Sequence, residues 1–431
     1  MKHTDSTIPS VSRRKFLATG TMAAVAPMIL PRSFAKGSPN DEITMGIIGC
    51  GGRGRANMSN FLGIKGVRVV AVCDVDAHNM RGSKAKVDKH YGNSDCKTYD
   101  HYTDLLQHPG LDAIVLATPD HWHARIAIDA MNAGMDAFGE KPFTWGLAEG
   151  RAVIDAIQKN KRIWQTGSWQ RSVGNFRRFR ALIQNDTLGK ITRVECGTTR
   201  GRGIHHGMPA KKMKEMIGHP PEWFDWKQYV GPAKSLEFNP MIHPWNWRWL
   251  NATGGGALLD WVGHHVDIAL WTLGLDHTGP VKVEGTGKTD KDTTWDLFDT
   301  LTDYSYQGTF ANGRVVEVRG DFMGVKFTGE NGWISVSRRG LKASKRDLLR
   351  NLPKDFQGKT PNHWQNFIEC VRSRKDPVSE PEGAFRAVSF GQLAIAAIDT
   401  KRPLKWDPKA EKVLGDPEQA KHPRLGSRLD F

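Results

Sequence analysis

Two glycine-rich stretches hold the residue types and spacings that could do chemistry. The first is Gly49-Cys50-Gly51-Gly52-Arg53-Gly54; the second is Gly254-Gly255-Gly256, followed by Asp260, His264 and Asp267. In the first, Gly49 permits a tight turn, Gly51 lets the backbone approach a pyrophosphate, and Gly54 lets a helix pack closely on a strand. The phosphates would then rest at a helix N-terminus, with Gly52 and Arg53 part of the same loop. Asp74 follows Gly54 by 20 residues. A carboxylate there hydrogen-bonds the ribose hydroxyls and repels a 2′-phosphate, which favours NAD over NADP, and Asp76 could share the role. In the second stretch Asp260 and His264 are four apart. On a helix they share a face, so the carboxylate can orient the imidazole and raise its basicity, making His264 a candidate general base. Taken alone, such a pair is more often an ordinary surface or core hydrogen bond.

Elements must hold these groups in place. The run 43–48 is short, apolar and β-branched, as a buried parallel strand should be, and a helix-compatible segment follows at 55–62. A second strand, 67–73, ends at Asp74. A third, 112–117, ends in Thr118-Pro119-Asp120-His121-Trp122-His123, and the helix 124–133 then stops at Gly134. The strand 135–138 leads into Gly139-Glu140-Lys141-Pro142, a helix spans 147–160, and a strand spans 162–166. Strands alternating with helices predict an α/β fold whose N-terminal domain, 36–168, is a doubly wound parallel sheet of the Rossmann type. Ligands bind such sheets where the strands end, which groups Asp74, Thr118, Pro119, His123, Glu140 and Lys141 along one cofactor edge. Beyond 167 the alternating runs 191–198, 281–286, 297–306, 314–318 and 333–337 predict a C-terminal α/β domain, 169–431, with a large open, mainly antiparallel sheet. The triple glycine would loosen the chain just before a helix over 257–273. Trp223, Trp226, Trp245, Trp247, Trp249, Trp261 and Trp271 crowd one part of this domain. Most should fill core; a few at a cleft edge, such as Trp247 with its neighbour Arg248, would suit the apolar face of a sugar ring.

A chain of 431 residues holds about two domains. Its formal net charge is +15; residues 1–35 carry five Lys/Arg (Lys2, Arg13, Arg14, Lys15, Arg32) against Asp5, a net +4, which leaves +11 for the rest. The basic residues are scattered, so a solvated surface is expected and a nucleic-acid partner is not. The first 35 residues read as an address: Ser12-Arg13-Arg14-Lys15-Phe16-Leu17 precedes an apolar run, 17–30, too short for a stable span, and Ser33-Phe34-Ala35 offers small residues for a signal peptidase. This resembles a twin-arginine export signal, so a periplasmic or otherwise exported protein, with no stable membrane span after processing, is expected. That route carries folded proteins, and a nicotinamide cofactor would travel already bound. The five cysteines, Cys50, Cys73, Cys96, Cys196 and Cys370, show neither a disulfide framework nor metal spacing and read as packing. Neither His121-Trp122-His123 nor the pairs His205-His206 and His264-His265 has ligand spacing, and no metal is expected.

The glycine loop with Asp74, the Glu140-Lys141-Pro142 triplet, and the Gly-Gly-Gly-x-Leu-x-Asp-x-x-x-His-x-x-Asp run from Gly254 to Asp267 together resemble the Gfo/Idh/MocA oxidoreductases over nearly the whole chain, including the tail Leu404-Lys405-Trp406-Asp407-Pro408. The resemblance implies a substrate lying between a Rossmann domain and an open-sheet domain. It also implies NAD as tightly held cofactor, a sugar, glycoside or cyclitol as substrate, and a homo-oligomer. Lys141 would stand near the nicotinamide with Asp260 and His264 as its acid-base partners, and the Lys141–Pro142 bond is often cis in the family. His265 departs from the pattern of many members and is a candidate substrate residue with Trp247 and Arg248; a helix turns about 100° per residue, so it need not face the substrate, yet it leaves the identity of the base open. The implied reaction moves a hydride from a secondary carbinol. An exported enzyme must then reset its cofactor, with a second carbonyl substrate or in a redox-neutral cycle such as that of NAD-dependent glycosidases. A non-catalytic sugar-binding protein is the alternative from another class, and the presence of Lys141 and His264 speaks against it.

Overall fold

The structure, a computed structural model, describes residues 42–201, 210–233, 236–289 and 297–429. The expected export signal, the first residues of the N-terminal domain and His205-His206 lie outside them.

From Ile43 the chain alternates strictly: β1 (Ile43–Ile48), α1 (Gly52–Leu62), β2 (Val67–Cys73), α2 (Ala77–Tyr91), β3 (Lys97–Tyr99), α3 (Tyr102–Leu106), β4 (Ala113–Leu116), α4 (His123–Asn132), β5 (Asp136–Gly139), α5 (Leu147–Asn160) and β6 (Trp164–Thr166). These six described strands are all parallel, in the order β3-β2-β1-β4-β5-β6. That order reverses direction between β1 and β4, the switch point where open α/β sheets hold their ligands. Successive side chains leave opposite faces of a strand, and both faces are apolar here. Met45, Ile47, Val69, Val115 and Phe138 pack on one side, and Ile48, Ala71, Ile114, Leu116 and Ala137 on the other. The sequence reading omits β3 and α2. Helix α2 buries only Met80, Ser83 and Val87, too little apolar periodicity to stand out, and it is set by its ends: Asp76 caps the N–H groups of His78 and Asn79, and Gly92 closes it in the left-handed conformation.

After α6 (Gly174–Gln184), β7 (Ile191–Gly197), α7 (Ala210–Glu215), α8 (Trp226–Val230), α9 (Gly256–Trp261) and α10 (Asp267–Leu273) come the strands β8 (Lys282–Thr289), β9 (Leu301–Thr309), β10 (Val315–Arg319), β11 (Gly324–Gly329), β12 (Gly332–Ser337) and β13 (Gly340–Ala343). Helices α11 (His363–Ser373) and α12 (Pro381–Asp399) follow, then β14 (Leu404–Asp407) and β15 (Lys412–Val413). The second sheet runs β13-β12-β11-β7-β10-β9-β8-β14-β15 and is antiparallel except where β7 pairs with β10. Helix α12, buried over almost its whole length, packs on α5 from one sheet and β8 from the other. Helix α11 returns to the first sheet: its Phe367 meets Phe61 and Phe138 edge-on at 6.0 and 5.9 Å. Residues 219–233 and 236–250 gather around a small separate core of Phe224, Trp226, Tyr229 and Ile242. They are tied to the first sheet by the bridge between Asp76 and Phe224 and the bond from Ala77 N–H to the Trp223 carbonyl.

One expected element differs in a way that matters. The helix predicted over 257–273 is two helices, α9 and α10, joined by a π-helical turn over Val262–Val266. Such turns insert a wider i→i+5 ring and change which residues share a face, and they recur at functional sites. Nor is the triple glycine loose. A Cβ on Gly254 would stand 2.8 Å from the Arg248 backbone, and Gly256 has a φ of +64° that a side chain would strain.

Candidate functional site

A cavity of about 680 Å³ opens at the carboxyl ends of β1, β2, β4 and β5 and runs to α9, a volume usual for a small-molecule or cofactor site. Its floor is the glycine loop. Gly49 takes a φ of +88°, and a Cβ there would lie 2.6 Å from the Ala117 carbonyl oxygen, so β1 and β4 can touch only through glycine. A Cβ on Gly51 would meet nothing within 4 Å, and Gly51 and Gly52 line the cavity at the start of α1, whose N-terminus carries no side-chain cap. Those uncapped N–H groups and the open cradle above Gly51 fit a pyrophosphate. Gly54 does not line the cavity; a Cβ there would collide with the Gly49 carbonyl oxygen, so its part is the close packing of α1 on the loop.

Asp74 lines the cavity, and its two oxygens accept N–H bonds from Cys50 at 2.5 Å and Asp76 at 2.8 Å. Each oxygen keeps a second acceptor position. Burial pushes Asp74 up to about 6 against the pull of those two donors. Asp76 is not free to share its role: it caps α2 and accepts from Asn79 and from His243 Nε2 at 3.1 Å. Arg55 stands at the same end of the cavity and bonds Asn79 at 3.0 Å. At the other end Arg53 donates Nε to Glu140 at 2.6 Å, and Asn57 donates to the same oxygen at 2.9 Å. The Arg53 Nη2 is buried without a partner, and Thr118, Pro119 and Glu140 complete this wall. His123 is misplaced by the sequence reading. Its ring spans the carbonyls of Pro142 (2.8 Å) and Thr118 (3.0 Å), so it braces the two turns from behind and does not face the cavity.

The Lys141–Pro142 peptide is cis. The Lys141 stem lies across the π turn: a Cβ on Gly263 would stand 3.1 Å from that of Lys141. Its Nζ donates to Asp260 Oδ1 at 2.5 Å and to the Asp260 carbonyl at 3.3 Å. Burial alone would raise Asp260; the charges of Lys141 and Arg248 outweigh it and hold the carboxyl below its usual range. The expected bond between Asp260 and His264 is absent. Lys141 takes the carboxylate instead. His264 is buried, and its Nδ1 has no hydrogen-bond partner among the described residues. Burial, then the charges of Lys141 and Arg338, hold it well below its usual range, so it is neutral at pH 7 and its basicity is lowered rather than raised as the Asp260 pairing would have done; it is not among the residues lining the cavity. His265, assigned above to substrate, points the other way: its Nδ1 meets the Gly197 carbonyl at the end of β7, and it is buried against the second sheet. Asp267 lies outside the site, gripped by Arg171 through bonds of 2.7 and 2.9 Å.

Trp247 and Arg248 line the cavity. The guanidinium sits between Trp245 and Trp247, 4.2 and 4.3 Å from their ring centroids, with Nε 4.0 Å from Asp260. Sequence reasoning passed over Asp120, Tyr229, His243, Arg338 and Arg424. Asp120 had a signal, because it follows Thr118-Pro119 at a strand end. It is buried, and burial together with Asp260 pushes it up to about 7. Arg424 had none: it comes from the far end of the chain to bond the Gly254 carbonyl at 2.5 Å, stacked on Trp145 at 4.2 Å. All five cysteines are buried and unpaired. Asp276, His277 and Glu380 could together reach a metal ion; Asp276 pairs with Arg171 at 3.2 Å, and His277 with Glu380 at 3.6 Å. Among the described residues no helix is long and apolar enough to cross a membrane.

Comparison with known proteins places this geometry. Residues 43–168 match the model of the Gfo/Idh/MocA oxidoreductase family, NAD-binding Rossmann fold, and residues 173–426 match that of its C-terminal alpha/beta domain. A glycosyl hydrolase family 109 protein of Shewanella sp. (strain ANA-3) is 34% identical over 126 residues, which is 28% of this chain and 27% of that protein; the chain thus spans about a quarter of that relative. The scyllo-inositol 2-dehydrogenase (NAD(+)) of Bacillus subtilis is 23% identical over 381 residues, 85% of this chain and 97% of that one. Among solved structures, the myo-inositol 2-dehydrogenase of Lactobacillus plantarum superposes with a TM-score of 0.60 at 19% identity, over 84% of this chain and 99% of that one.

Proposed function

The chain belongs to the Gfo/Idh/MocA family of oxidoreductases, and on that premise we propose that it moves a hydride between a secondary hydroxyl-bearing carbon of a sugar, glycoside or cyclitol and NAD. The observation that carries this reading is the Lys141–Asp260 pair at 2.5 Å, set beside a buried imidazole with an unpartnered nitrogen, at the edge where the phosphate-binding loop meets a wall of tryptophans. Oxidation takes a hydride from the carbon and a proton from the hydroxyl, leaving a carbonyl. NAD, when bound, supplies the hydride acceptor; the other roles fall to the chain. The Lys141 ammonium stabilises negative charge developing on the oxygen, Asp260 keeps that ammonium aimed, and neutral His264 receives the proton. Trp247 and Trp245 offer ring faces to the sugar. Asp74 accepts from the adenosine ribose, and the uncapped N-terminus of α1 meets the pyrophosphate. The fit supports NAD over NADP, with Arg55 tempering the exclusion.

A second reading, a redox-neutral NAD-dependent glycosidase, draws on the likeness to the family 109 protein, a likeness confined to 126 residues. We also propose export by the twin-arginine route with the cofactor already loaded, and assembly as a homo-oligomer. Native mass spectrometry tests loading and assembly together. Incubation with matched glycosides and free sugars, read by absorbance of the bound nicotinamide and by release of the aglycone, separates the two activities. A protein that binds no NAD(H), or whose bound NAD no sugar or cyclitol reduces, would refute the oxidoreductase reading.

A further inference from the structure

The C-terminal segment 422–429 closes on both turns that carry the Lys141–Asp260 pair. It enters as a single turn, Pro423–Leu425, from which Arg424 extends into the interior and is only 2% exposed. Arg424 Nη2 donates to the Gly254 carbonyl at 2.5 Å and to Asn251 Oδ1 at 2.9 Å, while Nη1 donates to the Trp145 carbonyl at 3.3 Å. The same guanidinium lies over the Trp145 ring, 4.2 Å from its centroid. Trp145 is four residues beyond Lys141, and Gly254 is six residues before Asp260 at the entry to α9. One side chain therefore bridges the turn of the lysine and the turn of the carboxylate, which are also joined directly by the bond from Trp145 Nε1 to the Asn251 carbonyl at 2.8 Å. Arg428 adds to the grip, donating to the carbonyls of Ala252 and Asn251, and its own N–H meets Glu149 Oε1 at 3.1 Å. The approach is possible only because residue 146 is glycine: a Cβ there would stand 2.5 Å from the Gly426 carbonyl oxygen. Among the described residues Arg424 has no carboxylate within ion-pair distance, and burial lowers it to about 10, so it is charged at neutral pH. Burying a cation on carbonyl and amide oxygens alone is a costly way to pin a chain end. What it secures is the relative placement of two turns, because acceptors from both must converge on one rigid, planar fork.

We propose that Arg424 is a positioning residue for hydride transfer: by clasping the Trp145 and Gly254 turns together it fixes Lys141 against Asp260, and with that the aim of the lysine at the substrate oxygen. This rests on the reading of Lys141 and Asp260 as the site's reacting pair, so the test includes a measurement that needs no substrate. In single-turnover reduction of bound NAD the amplitude counts folded, loaded protein, whereas the limiting rate reports aim. Arg424→Ala should keep the amplitude per bound NAD and hold the half-saturating substrate concentration within about three-fold, while the limiting rate falls about 10- to 100-fold, the scale of a misplacement of about 1 Å. Arg424→Lys, a point charge without the fork, should recover little of that rate, and it carries the same test if Arg424→Ala does not fold. Leu425→Ala opens a cavity beneath the same segment; it should lower the unfolding temperature yet leave the limiting rate within about two-fold. Without substrate, the coupling between Lys141→Met and Asp260→Asn in urea unfolding should shrink by at least about two-fold in the Arg424 variant. A normal limiting rate with reduced amplitude, an equal loss of rate in Leu425→Ala, or an unchanged coupling would each reduce Arg424 to a structural tie. A shrunken coupling in a protein whose bound NAD no sugar or cyclitol reduces would uphold the clasp while refuting the proposed reaction.

Discussion

Replacing Lys141 by Met and Asp260 by Asn, singly and together, separates what their ion pair does for stability from what the lysine does for chemistry. At 2.5 Å the gross attraction is about 7 kcal/mol at an effective dielectric constant of about 20. Taking both groups partly out of water opposes most of it. The side chains are 15% and 29% exposed, between the fully buried pairs that cost about 3–5 kcal/mol to break and surface pairs worth about 0–1. A single loss of about 1–3 kcal/mol is therefore expected. Lys141→Met falls at the lower end, because Arg248 still stands 4.0 Å from the abandoned carboxylate. The double variant should recover part of the loss, giving a coupling of about 1 kcal/mol or more in a cycle of urea-unfolding free energies. Activity should show no such recovery. Single-turnover reduction of bound NAD should fall about 10²- to 10⁴-fold in Lys141→Met and stay there in the double variant, since the oxyanion support is gone in both. Additive destabilisation would show that the pair is not coupled in solution, and near-normal reduction in Lys141→Met would remove the lysine from the chemistry.

Gly263→Ala places a Cβ 3.1 Å from that of Lys141; the lysine must shift by a few tenths of an ångström, and single-turnover rates should drop with NAD content intact, whereas an unchanged rate would mean that the aim of Lys141 tolerates the shift. Gly51→Val and Gly54→Val should part company: the first points into open space in the cavity and should fold but purify without NAD(H), while the second strikes the Gly49 carbonyl and should unfold at lower temperature; the opposite ranking in thermal scans would undo the assignment of the loop. Asp74→Ser should weaken NAD and admit NADP, helped by Arg55 at the same end, so fluorescence titrations that show an unaltered cofactor preference would count against Asp74 as the reader. Asp120 has its pKa raised from 3.8 to about 7. The folded state therefore holds that proton longer than the unfolded one, and its stabilising contribution, complete below pH 3.8, is lost as pH rises through about 7. Asp120→Asn should flatten stability across that window and gain on the wild type at pH 8; a parallel pair of stability curves would show that Asp120 is ionised throughout.

Some of this was legible without coordinates because it is local. The bounds of β1, β2 and α5 follow from largely apolar, β-branched runs and from a helical period ending at Asn160. The glycine loop is legible for the same reason: a tight turn, an open cradle and a close packing contact each admit only one residue type, at positions a few residues apart. The Lys141 turn and the Asp260–His264 stretch could be singled out by composition and by resemblance to a family, which marks residues but not the directions in which they point. Those directions were set by the tertiary fold. Lys141, 119 residues away in sequence, takes the Asp260 carboxylate, and within the π turn, which has no sequence signature in a helical pattern, His265 faces β7. His123 faces two carbonyls because the Pro142 and Thr118 turns flank it. Asp76 was drawn off by His243, 167 residues away, and the Gly254 turn is held by Arg424, 170 residues away. Local sequence determines which conformations are cheap; the partner of a buried polar group is decided by whatever distant segment packing brings within hydrogen-bond reach, since leaving it unpaired costs more than any local preference.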